Sequence, residues 1–274
     1  MIIKQTQGPL FQVSNNNELR VRTQALVITD SSVVKLDVGA LVETPKAPEL
    51  GDYDVLISKS GTLKAVVNTD GLMLPDVIGG AHFSPGGCAP LYDGGDSIPQ
   101  FNPFSSWDLC FRPSCQNPRG MALVAGRSWV DIWPMVNECE KDRKFRTRIN
   151  AFEATEIAHR KGKTLPSEEE FHLLALGVRE RSSNNKAANG PELDAPRTSR
   201  WGIMQATGNL WIWLRIISDP TDNLSRDKIR AGIAGGGWAG GALCGSRCSY
   251  WYASPWYFLS FLGARGRCDH LNLA

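Results

Sequence analysis

No apolar run in this chain approaches the length a helix needs to cross a bilayer, so membrane insertion is not expected. Net charge is also scarce. Thirty Lys and Arg stand against 28 Asp and Glu, a formal +2, and no polybasic run occurs. The electrostatic footprint of a nucleic-acid binder is therefore missing, and no nucleic-acid partner is expected. Histidine is rare. His82, His159, His172 and His270 are scattered, which argues against a grouped iron site and for ordinary hydrogen-bonding roles. The seven cysteines form no Cys-x-x-Cys pair and no zinc-finger spacing. They read as buried structural thiols, with one or two disulfides as the other option, and an odd count leaves at least one unpaired. No metal and no cofactor are expected. The first residues, Met1-Ile2-Ile3-Lys4-Gln5-Thr6-Gln7, lack the basic head, apolar stretch and small-residue cleavage site of a secretory signal. The expectation is synthesis in a cytoplasm, with any external role reached by another route, such as release in a virion.

What the chain does have is an aromatic crowd inside a glycine frame. Tyr250, Trp251, Tyr252, Trp256, Tyr257, Phe258 and Phe261 fall between Trp238 and Cys268, and three of the five tyrosines lie there. Aromatic side chains give large, stiff, amphipathic contact area at low entropic cost, so such a stretch points to recognition before catalysis.

The 274 residues suffice for one large domain or a medium one with a small one. Residues 1–75 read as short strands: Leu19–Arg22, Ala25–Ile28, Ser32–Val38, Tyr53–Ile57 and Leu63–Val67, separated by Gly, Pro, Asn and Asp. This predicts a small all-β module for attachment or oligomerisation, followed by a ligand-binding domain over 76–274. A helix is predicted from Phe145 to Gly162. A second starts at Ser167, whose pairing with Glu170 makes a capping box. Residues 181–200 read as a mobile, surface-exposed polar loop. Strands are expected at Leu210–Leu214, at Arg230–Ile233 and near Leu262–Cys268.

Four strings occur in order: Leu165-Pro166-Ser167-Glu168-Glu169-Glu170-Phe171, Gly208-Asn209-Leu210-Trp211-Ile212-Trp213, Gly235-Gly236-Gly237-Trp238 and Gly263-Ala264-Arg265. Together they resemble the formylglycine-generating-enzyme branch of the C-type lectin fold over roughly residues 120–268. The fold class this implies is α+β. There are departures: Ile212 stands where that family has Glu, and Ala264 where it has Phe. The enzymes of that family bind copper through two cysteines near the C-terminus. Cys244 and Cys248 lie near that position, slightly closer together, and a copper-dependent oxidase acting through them is the alternative function. The Glu-Pro-Asn, Gln-Pro-Asp and Trp-Asn-Asp elements of calcium-dependent sugar binding are absent.

The C-terminal frame is most similar to the variable proteins of diversity-generating retroelements, found in phage tail receptors and on microbial cell surfaces. The resemblance runs over Trp238, Ala239-Gly240, Gly241-Ala242, Leu243, Cys244-Gly245, Tyr250, Tyr252-Ala253, Ser254-Pro255, Tyr257 to Phe261 and Gly263-Ala264-Arg265. Upstream, Trp129-Val130-Asp131-Ile132 also resembles a segment of that group. In such systems template adenines are randomised, usually in Asn codons. Changing only those two adenines reaches Tyr, Phe, Leu, Ala, Gly, Ser and Cys, but never Trp, Met, Lys, Gln or Glu. The interval Ala239–Phe261 contains no Lys, Met, Gln or Glu.

The resemblance implies a non-enzymatic, retroelement-diversified receptor-binding protein on a virion tail, or otherwise on a microbial surface, with its variable region near 230–268. Its variable ligand-binding residues would be Ala239, Gly240, Leu243, Tyr250, Tyr252, Ala253, Tyr257, Phe258, Leu259 and Phe261. Trp211, Trp213, Trp238, Trp251, Trp256 and Arg265 would be scaffold. The partner would be a host or cell-surface ligand, a protein rather than a sugar given so apolar a patch, and analogy implies a homotrimer. A structural tail component without a ligand is the third option.

Overall fold

The computed structural model describes residues 2–5, 8–28, 32–68, 71–92, 94–136, 144–187, 189–218 and 229–272. The chain forms two compact units. One comprises Met1–Pro85, Ile98–Trp129 and Asp269–Ala274, the other Gly86–Ser97 and Val130–Cys268.

The first unit is built of sheets. Strands β1 (Ile2–Gln5), β2 (Phe11–Val13), β3 (Leu19–Val21), β4 (Ala25–Ile28) and β5 (Val33–Leu36) come first. Of these, β1-β4-β5 form one antiparallel sheet and β2-β3 a hairpin. Next come β6 (Gly51–Ile57), β7 (Leu63–Val67), β8 (Val77–Ser84), β9 (Gln100–Phe101) and β10 (Trp107–Asp108), which form a sheet ordered β10-β8-β6-β7 with β9 on β8. Short strands β11 (Phe111–Pro113), β12 (Met121–Val124) and β13 (Ser128–Asp131) follow, β13 running into the second unit.

Strand β8 is buried along its whole length, so it lacks the alternation that betrays a half-exposed strand. Its glycines are required by close approach. A Cβ on Gly79 would lie 2.4 Å from the Trp107 carbonyl oxygen, and one on Gly80 2.4 Å from that of Tyr53. Around it Tyr53, Phe83 and Phe101 pack edge to face at centroid distances of 5.1–6.5 Å, a favoured aromatic geometry. Arg119 closes this core polar-side by a bidentate contact to buried Asp54 at 2.7 and 2.8 Å.

The second unit contains helices α1 (Ala151–Arg160) and α2 (Glu168–Leu174) and strands β14 (Trp211–Ser218), β15 (Arg230–Ala234), β16 (Ser249–Ala253) and β17 (Leu262–Gly263). Strand β18 (Arg267–Asn272) runs from it into the first. Its sheet is ordered β16-β15-β14-β17, antiparallel except for β14 against β17. Ala151, Ala154 and Ala158 of α1 share a core cluster with Trp213, Ala231, Ala253 and Leu262. Small residues on the helix leave room for the fully buried Trp213, whose indole N–H donates to the Ile149 carbonyl at 2.9 Å.

Helix α1 begins at Ala151, not at Phe145 as the apolar spacing suggests. Arg148 adopts φ +54° and Asn150 is extended. The Asn150 side chain accepts from the N–H groups of Phe152 and Glu153 while Glu153 accepts from the Asn150 N–H, a complete capping box. A side chain that satisfies orphan donors fixes the start more firmly than periodicity does. Helix α2 begins with the Ser167–Glu170 box read from the sequence. The final strand also differs from expectation: Ala264-Arg265-Gly266 separates β17 from β18.

Candidate ligand-binding surface

The glycine turn after β15 is fixed by what surrounds it. Gly235 and Gly236 adopt φ of +94° and +81°. A Cβ on Gly235 would meet the Phe171 ring at 2.8 Å, and one on Gly236 would meet the Cys244 sulfur at 2.4 Å. Only glycine satisfies both the conformation and the space. Trp238 donates its N–H to the Asn209 carbonyl at 2.8 Å, and its own carbonyl accepts from Asn185 N–H at 3.0 Å. The Gly-Asn corner seen in the sequence thus pins the turn that opens the variable region.

Segment 181–200, expected to be an exposed mobile loop, is exposed at Arg181, Asn185, Lys186, Ala187, Asn189 and Leu193, but its other described residues are knitted into this frame. Ser183, Asp194, Thr198 and Ser199 are buried. Arg197 donates from Nε to Asp194 at 2.7 Å, and Asp194 also accepts from Asn209 Nδ2 at 2.8 Å. Asn209 in turn accepts from Asn184 Nδ2 at 2.9 Å. Gly241 N–H donates to Ser183 Oγ at 3.1 Å, and Arg181 N–H to the Cys244 carbonyl at 2.8 Å. Glu180 accepts from the Ser246 hydroxyl at 2.5 Å and from its N–H at 3.1 Å. Buried polar groups need such partners, so a polar composition here marks a network and not a loose loop. None of Glu180, Asn184, Asp194, Arg197 and Asn209 carries a pattern in the sequence beyond the Gly-Asn corner itself.

Strand β16 separates contact from support by alternation. Tyr250 and Tyr252 are exposed, Tyr252 to 67%, and their rings lie 6.1 Å apart. Trp251, between them, is half-buried, and a Cβ on Gly232 would meet its ring at 2.8 Å. Its indole N–H donates to Glu168 Oε1 at 3.1 Å, and the Ser249 hydroxyl donates to the same oxygen. These bonds, the Ser249 hydroxyl's foremost, hold the Glu168 carboxyl below its ordinary range.

The following loop repeats the division. Trp256 packs at 5.4 Å on Phe152 of α1, and Ala151 N–H donates to the Pro255 carbonyl at 2.9 Å. Tyr257, Phe258 and Leu259 are exposed, Phe258 to 57%. Leu243 is 79% exposed and Ala239 is also at the surface.

Other expected contact residues are placed differently. Ala253 is 0% exposed, paired with Ala231 inside the core cluster, because it is the next inward position after Trp251 in the alternating burial of β16. Phe261 is half-buried and packs against the same cluster. Gly240 is half-buried, and any Cβ there would come within 2.6 Å of the Cys244 sulfur. Of the scaffold residues, Trp211 and Trp238 are half-buried. Arg265 is fully buried, with its guanidinium donating to the carbonyls of Asp131 (2.6 Å), Ile132 (2.7 Å) and Met204 (2.9 Å). Burial brings its pKa down to about 9.

Cys244 and Cys248 are both free thiols. Cys244 is buried and its S–H donates to the Gly237 carbonyl at 3.3 Å. Burial, with Cys244 and Glu180 nearby, pushes Cys248 up to about 11, and burial raises Cys244 too. Among the described residues, no group of three or more His, Cys, Asp or Glu is placed to hold a metal. A cavity of about 420 Å³ adjoins the exposed aromatics, lined by Arg146, Arg148, Ile149, Glu153 and Phe258 among others.

No family model matches the sequence. The chain is 30% identical, over an alignment of 314 residues, to the tail fiber receptor-binding protein of Bordetella phage BPP-1, covering 96% of this chain and 82% of that protein. Among solved structures it is similar to the Major Tropism Determinant I1 variant, with TM-score 0.84, 26% identity, and 97% of this chain and 84% of that chain covered. The M1 variant matches with TM-score 0.82 and 27% identity over the same shares of the two chains.

Proposed function

The chain belongs to the family of the phage tail fiber receptor-binding protein and the Major Tropism Determinants, and from that premise we propose that it is a host-recognition protein diversified by a retroelement. It binds its ligand through a hypervariable aromatic surface carried on a C-type-lectin-like fold. The observation that carries this reading is the division of labour in 238–261. The exposed residues Ala239, Leu243, Tyr250, Tyr252, Tyr257, Phe258 and Leu259 are all reachable by changing two adenines of an Asn codon. Trp251 and Trp256, which are not, hold the frame from behind. Such a surface concentrates affinity in a few desolvated aromatics while its backbone stays fixed.

The finer parts of the reading are also proposals. The ligand is a host surface protein and the protein resides on a virion tail. The chain is not an enzyme. The N-terminal residues serve attachment or trimerisation, and the fold is of the formylglycine-generating-enzyme type. The four ordered sequence strings support the last of these.

The triple substitution Tyr252→Ala, Tyr257→Ala, Phe258→Ala tests the proposal. These side chains are exposed, so the melting temperature should hold within about 2 °C, as surface substitutions usually change stability by under about 0.5 kcal/mol. Adsorption to host cells should fall by a factor of about 100 or more, as expected for hot-spot aromatics worth about 2 kcal/mol each when their effects combine only partly. Unchanged adsorption would indicate a structural tail component instead.

A further inference from the structure

The cavity beside Phe258 has a fixed wall as well as a variable one. Its fixed wall includes Lys144, Phe145, Arg146 and Arg148, and among the described residues Glu153 is the one acid in its lining. Glu153 is already committed: its Oε2 accepts the Asn150 N–H at 3.0 Å in the capping box of α1. Arg146 and Arg148 are exposed, and among the described residues neither guanidinium has a hydrogen-bonded or ion-pair partner.

The backbone places these groups deliberately close to the variable face. Arg146 N–H donates to the Met135 carbonyl at 2.8 Å, and Arg148 N–H donates to the Leu259 carbonyl at 3.3 Å. Arg148 thus hangs directly from the variable loop. Its φ of +54° lies in the left-handed region, where Gly or Asn costs least and a long side chain is uncommon.

We propose that this wall is a constant anion subsite of the receptor-binding face, and that it takes the carboxylate of an acidic side chain in a polypeptide ligand. The inference rests on the receptor reading and names part of the ligand's chemistry. Guanidinium groups match a carboxylate through paired N–H donors. The adjoining exposed ring of Phe258 suits the neighbouring side chain of a peptide better than a sugar phosphate surrounded by hydroxyls. A constant charged anchor beside a changing apolar patch would fix the docking register, so that each new set of aromatics samples the same class of epitope.

Phenylglyoxal footprinting of the intact chain tests this, with the modification rates of Arg146 and Arg148 read by peptide mass spectrometry. Exposed Arg127 serves as reference. The probes are the peptide acetyl-Glu-Leu-Glu-amide, its neutral counterpart acetyl-Gln-Leu-Gln-amide, and inorganic phosphate. The acidic peptide should slow modification of Arg146 and Arg148 about threefold when present at about twice its Kd. Arg127 should be unaffected, and the neutral peptide should do nothing. No protection, equal protection at Arg127, or protection by phosphate but not by the acidic peptide would each overturn the proposal; the last would assign the wall to a phosphorylated glycan. The footprint does not depend on the host-adsorption result. If the aromatic triple variant loses adsorption and the footprint is blank, this inference alone falls. If the variant keeps adsorption, the receptor reading falls, and the proposal that rests on it falls too.

Discussion

At the scale of single residues, the frame depends on side chains whose importance is invisible in composition. Glu168 ties the contact strand to α2 by accepting from Ser249 and Trp251. Its carboxyl is held below the ordinary value of 4.5, so the stabilisation is fully present above that pH and is lost as pH falls through the depressed value. Glu168→Gln should therefore cost about 0.5–1 kcal/mol at neutral pH, the lower end for hydrogen bonds to a charged acceptor because solvent screens this partly exposed carboxylate. Urea melts of both forms should show this gap closing as the pH is taken well below 4.5; a gap independent of pH would contradict the role given to the carboxylate. Gly236 gives a second test. With φ +81° and the Cys244 sulfur 2.4 Å from any added Cβ, Gly236→Ala should destabilise the protein by about 2–4 kcal/mol, combining a disfavoured backbone with overpacking. Denaturant midpoints at unchanged m-value would measure it.

At the scale of elements, the variable region is a thin layer carried on a polar network. Asn209 is fully buried between Asp194 and Asn184 while its carbonyl receives the Trp238 N–H. Asn209→Ala removes the Asp194 and Asn184 partners together, and should cost about 2–3 kcal/mol because buried charged and amide groups lose their bonds. Hydrogen exchange at Trp238 should quicken in the same variant, and unchanged exchange there would separate the corner from the turn. How much of this was legible follows from the kind of physics involved. Strands such as Ala25–Ile28 and Leu63–Val67 were readable because alternation reports one buried face. The start of α2 was readable because a capping box is local. The start of α1 was misplaced because Phe145 and Ile149 are buried by tertiary packing, not by a shared helical face. The buried 181–200 network was missed since its bonds join residues far apart in sequence. Within the candidate surface, codon chemistry and aromatic content picked out Tyr250, Tyr252, Tyr257 and Phe258, all exposed. They could not separate Ala253, whose small side chain fits a core as well as a surface.

At the scale of the whole molecule, stability and recognition fall to different sets of side chains. The second unit buries Trp213, Arg265 and Phe171 completely, while the aromatics proposed to meet the ligand stand outside that core. Variation there should leave the fold untouched, which is the property a diversified receptor requires. Population sequencing of the 3′ end of the gene is the most direct test of that claim. Substitutions should concentrate at the codons for Ala239, Leu243, Tyr250, Tyr252, Tyr257, Phe258 and Leu259, confined to the residues two randomised adenines can reach, with Trp238, Trp251 and Trp256 constant. A uniform sequence, or changes scattered along the whole gene, would contradict it.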